Sequence, residues 1–178
     1  MTYLSLDLEL NNTEEGLNNP KIIQIGVCIG KEISDIKKYK WYVYPEEPIT
    51  EYITKLTGIT NNDVVNRSKS VSTIAQEISD LISEHKTYSH PIVWGCGDVG
   101  ALMKLFLDND VIFEHFGYRE LDVKQIYSYL TLKEGKKPYG SLSSSMKKMG
   151  YDFKGDKHRA DIDAYNTLVF WFKLLERA

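Results

Sequence analysis

Two carboxylates, Asp7 and Glu9, stand two residues apart in the stretch SLDLEL. Side chains there alternate, with Leu4, Leu6, Leu8 and Leu10 set against Tyr3, Ser5, Asp7 and Glu9. That is the period of a β-strand with one buried face. Both acids then leave from the same side, and neighbouring anions repel unless a cation or a proton stands between them. Hard divalent cations such as Mg²⁺ favour a few carboxylate oxygens and keep waters for chemistry. An edge strand that shows its acids to water is the plainer reading of the same pattern. A third acid, Asp98, closes the glycine-rich WGCGD, where it can join such a site or cap the helix that follows. A fourth, Asp163, falls in the first turns of a final helix in HRADIDAYNT, near its positive end. Asp161 is the expected cap of that helix, which leaves Asp163 without a structural duty. His158 stands five residues before Asp163; an exposed polar residue is its ordinary reading. Taken together, four carboxylates can hold two divalent cations about 4 Å apart, which activates a water and stabilises the leaving oxygen of a phosphodiester. A histidine beside them is suited to take the proton from that water.

The elements that must position these groups follow from periodicity. After the first strand, Asn11–Pro20 is a cluster of turn formers, placed to rim a site. Lys21–Gly30 reads as a second strand, and Lys38–Tyr44, dense in aromatics, as a third that ends at Pro45. Their connections are too short for helical crossovers, so an antiparallel meander is expected. A short helix over Ile49–Leu56 closes at Gly58, and Ser70–Glu84 is amphipathic. Pro91–Trp94 is a short buried strand, followed by a helix over 99–107. Glu120–Val123 is a further strand leading into a helix through Leu130. Glu134–Gly140 is a loop, Ser141–Met149 a helix stopped by Gly150, and Asp161–Glu176 the last helix. A strand meander followed by strand–helix alternation indicates an α/β fold with a mixed sheet.

The chain of 178 residues suits one domain, residues 1–178. Its net charge of −3 looks unsuited to nucleic acid until it is divided. From Lys133 to Arg159, eight Lys or Arg stand against three Asp or Glu, a balance of +5, so the remainder carries −8. Concentrated basicity of this kind is compatible with local phosphate contact. Two cysteines make neither a disulfide framework nor a zinc site. No signal peptide or membrane span is visible, and the cytoplasm is the expected location.

In DLE at 7–9, PKIIQIG at 20–26, LTGIT at 56–60, WGCGD ending at Asp98 and the HxxxxDA pattern from His158 to Ala164, the chain resembles the DEDDh family of 3′–5′ exonucleases. The likeness covers nearly the whole sequence. It implies the ribonuclease H-like fold, with a mixed five-stranded sheet: an antiparallel meander of strands 1–3 plus parallel strands 4–5, flanked by helices. It also implies two divalent metal ions, Mg²⁺ or Mn²⁺. Asp7 would bridge both, Glu9 and Asp163 would bind the nucleophile's metal, Asp98 would reach the other through water, and His158 would be the general base. The substrate 3′ end would lie against the turn after Glu9. Many relatives have Thr-Thr-Gly there; here stand Leu10, Asn11 and Asn12, with Leu10 able to pack on the terminal sugar or base and Asn11 beside it. Leu56 can wedge against the terminal base or join the core, and Lys157 and Arg159 can meet phosphates or remain solvated. The expected partner is a single-stranded 3′ end, RNA ahead of DNA by likeness to the branch that trims structured RNA. No membrane and no particular protein partner is implied. Three rivals stand beside this reading: a proofreading domain working under a polymerase, a small-nucleotide nuclease like oligoribonuclease, and a silent nucleic-acid-binding module. Trp41, Tyr42 and Tyr44 are expected to pack on the sheet, Trp171 and Phe172 to join the core. Cys96 has no part in hydrolysis by an activated water.

Overall fold

The computed structural model describes residues 1–16, 19–117, 119–138 and 140–177. Its strands are β1 (Tyr3–Asn11), β2 (Lys21–Gly30), β3 (Lys37–Tyr42), β4 (Ile92–Val93) and β5 (Leu121–Asp122). Its helices are α1 (Glu51–Thr57), α2 (Asn61–Arg67), α3 (Val71–His85), α4 (Asp98–Asp108), α5 (Val123–Lys133), α6 (Leu142–Lys148) and α7 (Ala160–Leu175). The sheet runs β3-β2-β1-β4-β5. β1–β2 and β2–β3 pair antiparallel, β4 lies parallel to β1, and β5 parallel to β4. The mixed five-stranded sheet expected from the sequence is the sheet that forms.

β1 is the middle strand, so the edge-strand reading of DLE is wrong. One buried face was also too few. Leu4, Leu6 and Leu8 share a core with Ile74 and Ile78 of α3 and Leu102 and Phe106 of α4. The opposite face is covered by α7: the Tyr3 ring meets Trp171 and Phe172 edge to face, at 5.7 and 5.8 Å between centroids. Polar residues on a covered face still alternate with leucines, which is why the pattern mimics a half-exposed strand.

Other differences are local. α2 was not expected: its Asn-Asn-Asp start reads as a turn, but Thr60 and Asp63 form a capping box that nucleates it. β3 ends at Tyr42; Trp41 and Tyr42 are buried as expected, whereas Tyr44 is 53% exposed beyond the strand. Of the loops expected at Asn11–Pro20 and Glu134–Gly140, Leu17, Asn18 and Tyr139 lie outside the described residues. Among the described residues no helix is long and apolar enough to cross a membrane.

Candidate active site

The alternation of β2 builds the floor of the site. Glu9, Gln24 and Tyr42 are register partners across β1, β2 and β3; so are Asp7, Gly26 and Lys40, and likewise Ser5, Cys28 and Lys38. Partners across antiparallel strands point to the same face, so three rows lie under the first turns of α7. Each row touches it. Ala160 N–H donates to Gln24 Oε1 at 2.9 Å, and the Arg159 guanidinium to Tyr42 Oη at 2.9 Å. Lys40 Nζ pairs with Asp161 Oδ2 at 3.3 Å. Cys28 Sγ donates to the Asp161 carbonyl at 3.4 Å, and Ser5 Oγ to that of Ala164 at 2.8 Å. Asp161 is therefore not the helix cap expected of it; Arg159 holds that position, and Asp161 anchors the helix to β3. In the central row Gly26 leaves a gap that backbone fills: a Cβ there would stand 2.1 Å from the Ala160 carbonyl carbon.

This seat brings Asp163 down onto β1. Asp7, Glu9 and Asp163 offer oxygens that all lie within 4.8 Å of one another. Arg159 N–H donates to Asp163 Oδ2 at 3.2 Å. Asp98 stands outside that trio, though its charge reaches Asp7. It does not cap α4, whose cap is Gly97 at φ 120°. Its loop is pinned from β5, because Gly95 N–H donates to Asp122 Oδ1 at 3.1 Å and Gly97 N–H to Glu120 Oε1 at 3.2 Å.

Burial, then the charges of Asp98, Asp163 and Glu9, push the Asp7 carboxyl well above the usual range. Burial, then Asp163, lifts Glu9 to about 8 against the relief of Arg159. Burial and the neighbouring Glu120 lift Asp98 to about 7. Asp163 is raised by burial and held back by the Arg159 and His158 backbone N–H groups. Among the described residues no Lys or Arg forms an ion pair with any of the four. Crowded carboxyls without a side-chain counter-ion are the donor set that suits a hard divalent cation.

A stability prediction follows. Each of these carboxyls binds its proton more tightly folded than unfolded, so its contribution is full below the unfolded value near 4 and is lost as pH rises through the folded value. For Glu9 and Asp98 that window runs from about 4 to about 8. In EDTA the unfolding temperature should fall by roughly 5–10 °C between pH 5 and pH 8. Mn²⁺ should restore it at pH 8 far more than at pH 5. Calorimetry at both pH values checks this, and a flat profile in EDTA would refute it.

His158 stands exposed in the turn before α7, with its backbone left-handed at φ 59°. The loop that presents it is clamped by buried Asn166, which accepts from Lys154 N–H at 2.9 Å and donates to the Lys154 and Ile162 carbonyls at 2.9 and 2.8 Å. Gly155, at φ 87°, lies against Ile162. His158 and Lys157 join Asp7, Glu9 and Asp163 around one cleft of about 520 Å³. Trp94, Phe153, Lys124 and the start of α6 complete its walls.

The residues expected to meet substrate are placed unevenly. Leu10 is half-buried, just past a slip in register where it faces Ile22 and not Ile23. Asn11 is 1% exposed, and its amide is occupied: Nδ2 donates to Glu47 Oε1 and the Pro48 carbonyl, and Oδ1 accepts from Thr50 N–H. Its side chain ties β1 to the start of α1 and is not free for a ligand. Leu56 is 38% exposed on α1, which removes the core alternative. Lys157 is exposed and Arg159 half-buried. Gln24, Gly26, Trp94 and Lys124 were missed. For the first two a signal existed, since small or polar residues recur at 24, 26 and 28 within an apolar strand.

The family model described as Exonuclease matches residues 4–169. The chain belongs to that family. A DNA polymerase III of PolC type from Mycoplasmopsis pulmonis is 24% identical over 162 residues, 91% of this chain and 11% of the polymerase. The exonuclease chain thus spans about a tenth of that relative. A full-length 3′-exonuclease structure superposes with TM-score 0.84 at 17% identity, covering 99% of this chain and 60% of the other. The nuclease domain of 3′hExo, a DEDDh family member bound to rAMP, gives 0.83 at 16% identity, covering 99% and 92%. The zinc-bound E. coli ExoI–ssDNA complex gives 0.76 at 18%, covering 99% and 40%. These likenesses fix the ribonuclease H-like fold of the exonuclease domain.

Gly26→Ala is the simplest test of the seat under α7. Its methyl must displace backbone at 2.1–2.3 Å, so Asp163 and His158 move away from Asp7. A misplacement of about 1 Å can slow catalysis on the order of 10²-fold, and overpacking costs about 1–3 kcal/mol. Nuclease rate and unfolding temperature are the readouts; a variant with both at wild-type level would show that the close approach is not needed.

Proposed function

We propose that residues 1–178 act as one 3′–5′ exonuclease domain that hydrolyses single-stranded nucleic acid, removing nucleotides one at a time and releasing 5′-monophosphates. The observation that carries this reading is the meeting of Asp7, Glu9 and Asp163 within 4.8 Å at the edge of a cleft that also holds His158. Asp7, Glu9 and Asp163, with Asp98, would hold two Mg²⁺ or Mn²⁺ ions, which when bound activate the water and stabilise the leaving 3′ oxygen. His158 takes the proton from the attacking water, its exposure leaving it free to exchange that proton with solvent. Lys157 and Arg159 meet backbone phosphates. Leu10 and Leu56 pack on the released nucleotide. RNA is favoured over DNA, in keeping with the rAMP-bound 3′hExo domain and a 3′-exonuclease that recognises the histone mRNA stem-loop. The PolC-type polymerase relative supports a second reading, DNA proofreading beside a polymerase.

The test uses 5′-labelled single-stranded RNA and DNA of matched sequence, with Mg²⁺ or Mn²⁺, with EDTA, and with an Asp7→Asn protein. A ladder shortening from the 3′ end, lost in EDTA and in the variant, is the expected result. The RNA-to-DNA rate ratio decides between the two readings. Folded, metal-binding protein that shortens neither strand would leave a binding module.

A further inference from the structure

The cleft beside the acids is larger than the acids require, and its far wall has a chemistry of its own. Leu10, Asn11 and α1, the flank given to the released nucleotide, do not line it. It extends the other way, toward the starts of α5 and α6. There Lys124 is half-buried, and among the described residues no carboxylate pairs with it. The positive groups whose charge relieves Glu9 and Asp163 are Arg159, His158 and Lys157, and Lys124 is not among them. A cation partly withdrawn from water without a counter-ion favours an arriving anion. Half-buried Ser143 lines the same wall. Trp94 is braced within, its ring edge-on to Phe170 at 5.3 Å and tilted against Tyr127 at 6.4 Å, yet it also faces the cleft. Phe153 stands on the loop that carries Lys157 and His158.

We propose that this cleft is a binding site for the nucleotide that stays behind, the one immediately 5′ of the scissile bond. Trp94 and Phe153 stack its base, and Lys124 with Ser143 holds its 5′ phosphate. The volume of about 520 Å³ lies in the range of small-ligand sites. Stacking tolerates any base, so the grip is independent of sequence. The proposal rests on the exonuclease reading. It means that the enzyme engages two nucleotides, one on each side of the acids, and that a 5′-phosphorylated dinucleotide satisfies both.

The experiment compares two substrates of the same released nucleotide: the 5′-phosphorylated dinucleotide, ribo or deoxy as the wild type prefers, and the p-nitrophenyl ester of the 5′-mononucleotide. Only the first carries a nucleotide for the cleft. In Lys124→Ala, and separately in Trp94→Leu, the ratio of kcat/KM for dinucleotide over ester should fall about tenfold or more. Trp94 is part of the core, so Lys124→Ala on the surface of α5 decides if Trp94→Leu does not fold. A ratio within twofold of wild type, whether both rates fall together or neither does, overturns the proposal. Wild-type protein that shortens the labelled strands but cleaves neither small substrate also overturns the proposal, whereas protein that cleaves none of them overturns the exonuclease reading beneath it.

Discussion

Asp7→Asn is expected to lose cleavage by 10⁴-fold or more, on the order seen when one member of a catalytic set acting as a unit is removed. The ion-free protein should at the same time become more stable. The wild-type carboxyl is buried between Glu9, Asp163 and Asp98, and each neighbour opposes its ionisation. Its folded affinity for a proton is raised, so the penalty for keeping it grows as pH rises above the unfolded value of 3.8. Asparagine has the same shape and carries no charge. In EDTA the variant should therefore unfold at higher temperature than wild type at pH 8, with the gap narrowing toward pH 5. Both halves are measurable, by a nuclease assay in Mn²⁺ and by thermal unfolding in EDTA. A variant less stable than wild type at pH 8 would mean that Asp7 holds the fold together and not an ion.

Removal of the imidazole at 158 should slow the chemical step by roughly 10²–10⁴-fold if it accepts the proton of the attacking water. The backbone makes this test unusually clean. His158 is left-handed at φ 59°, where an L side chain is strained by about 1–2 kcal/mol. His158→Ala keeps that strain and His158→Gly relieves it. Both should lose the same rate, while the glycine variant unfolds about 2–4 °C higher for each kcal/mol recovered. Mn²⁺ affinity by calorimetry should stay near wild type in both, since the acids are untouched. A full-rate His158→Ala enzyme would remove the base assignment, and unequal rates in the two variants would point to loop geometry instead of the ring.

Most of what positions the site can be read in order along the chain, and the failures share one cause. Periodicity reports which residues alternate but not what covers them. Asp7 and Glu9 alternate with leucines equally well on an edge and in the middle of a sheet; only the pairing of β4 with β1 shows that the strand is central, and only α3, α4 and α7 close its two faces. Asp161 and Asp98 both lie where an acid commonly caps a helix. Asp161 is instead drawn to Lys40 on β3, and Gly97 takes the turn before Asp98 because it adopts φ 120°. In KIIQIGVCIG the polar and small residues at 24, 26 and 28 disappear into an apolar average, though they mark the face on which α7 lies. The Thr60 and Asp63 pair has the spacing of a capping box, and it starts a helix that no apolar periodicity over 61–67 announces. Lys124 carries no motif and Trp94 counts in the sequence only as the opening of WGCGD; their convergence on one cleft gives them meaning.

Ser5 and Ala164, joined by one hydrogen bond beside the acids, are 159 positions apart in the chain. A ribosome adds roughly 5–20 residues each second. The first carboxylates thus emerge many seconds before Asp163 and His158 exist. Every strand of the sheet and the helices through α6 can be made while there is still no cutting centre. If the substrate is RNA, a nascent chain has no means of cutting it until α7 has been made, because Asp163 and His158 arrive last among the site's residues.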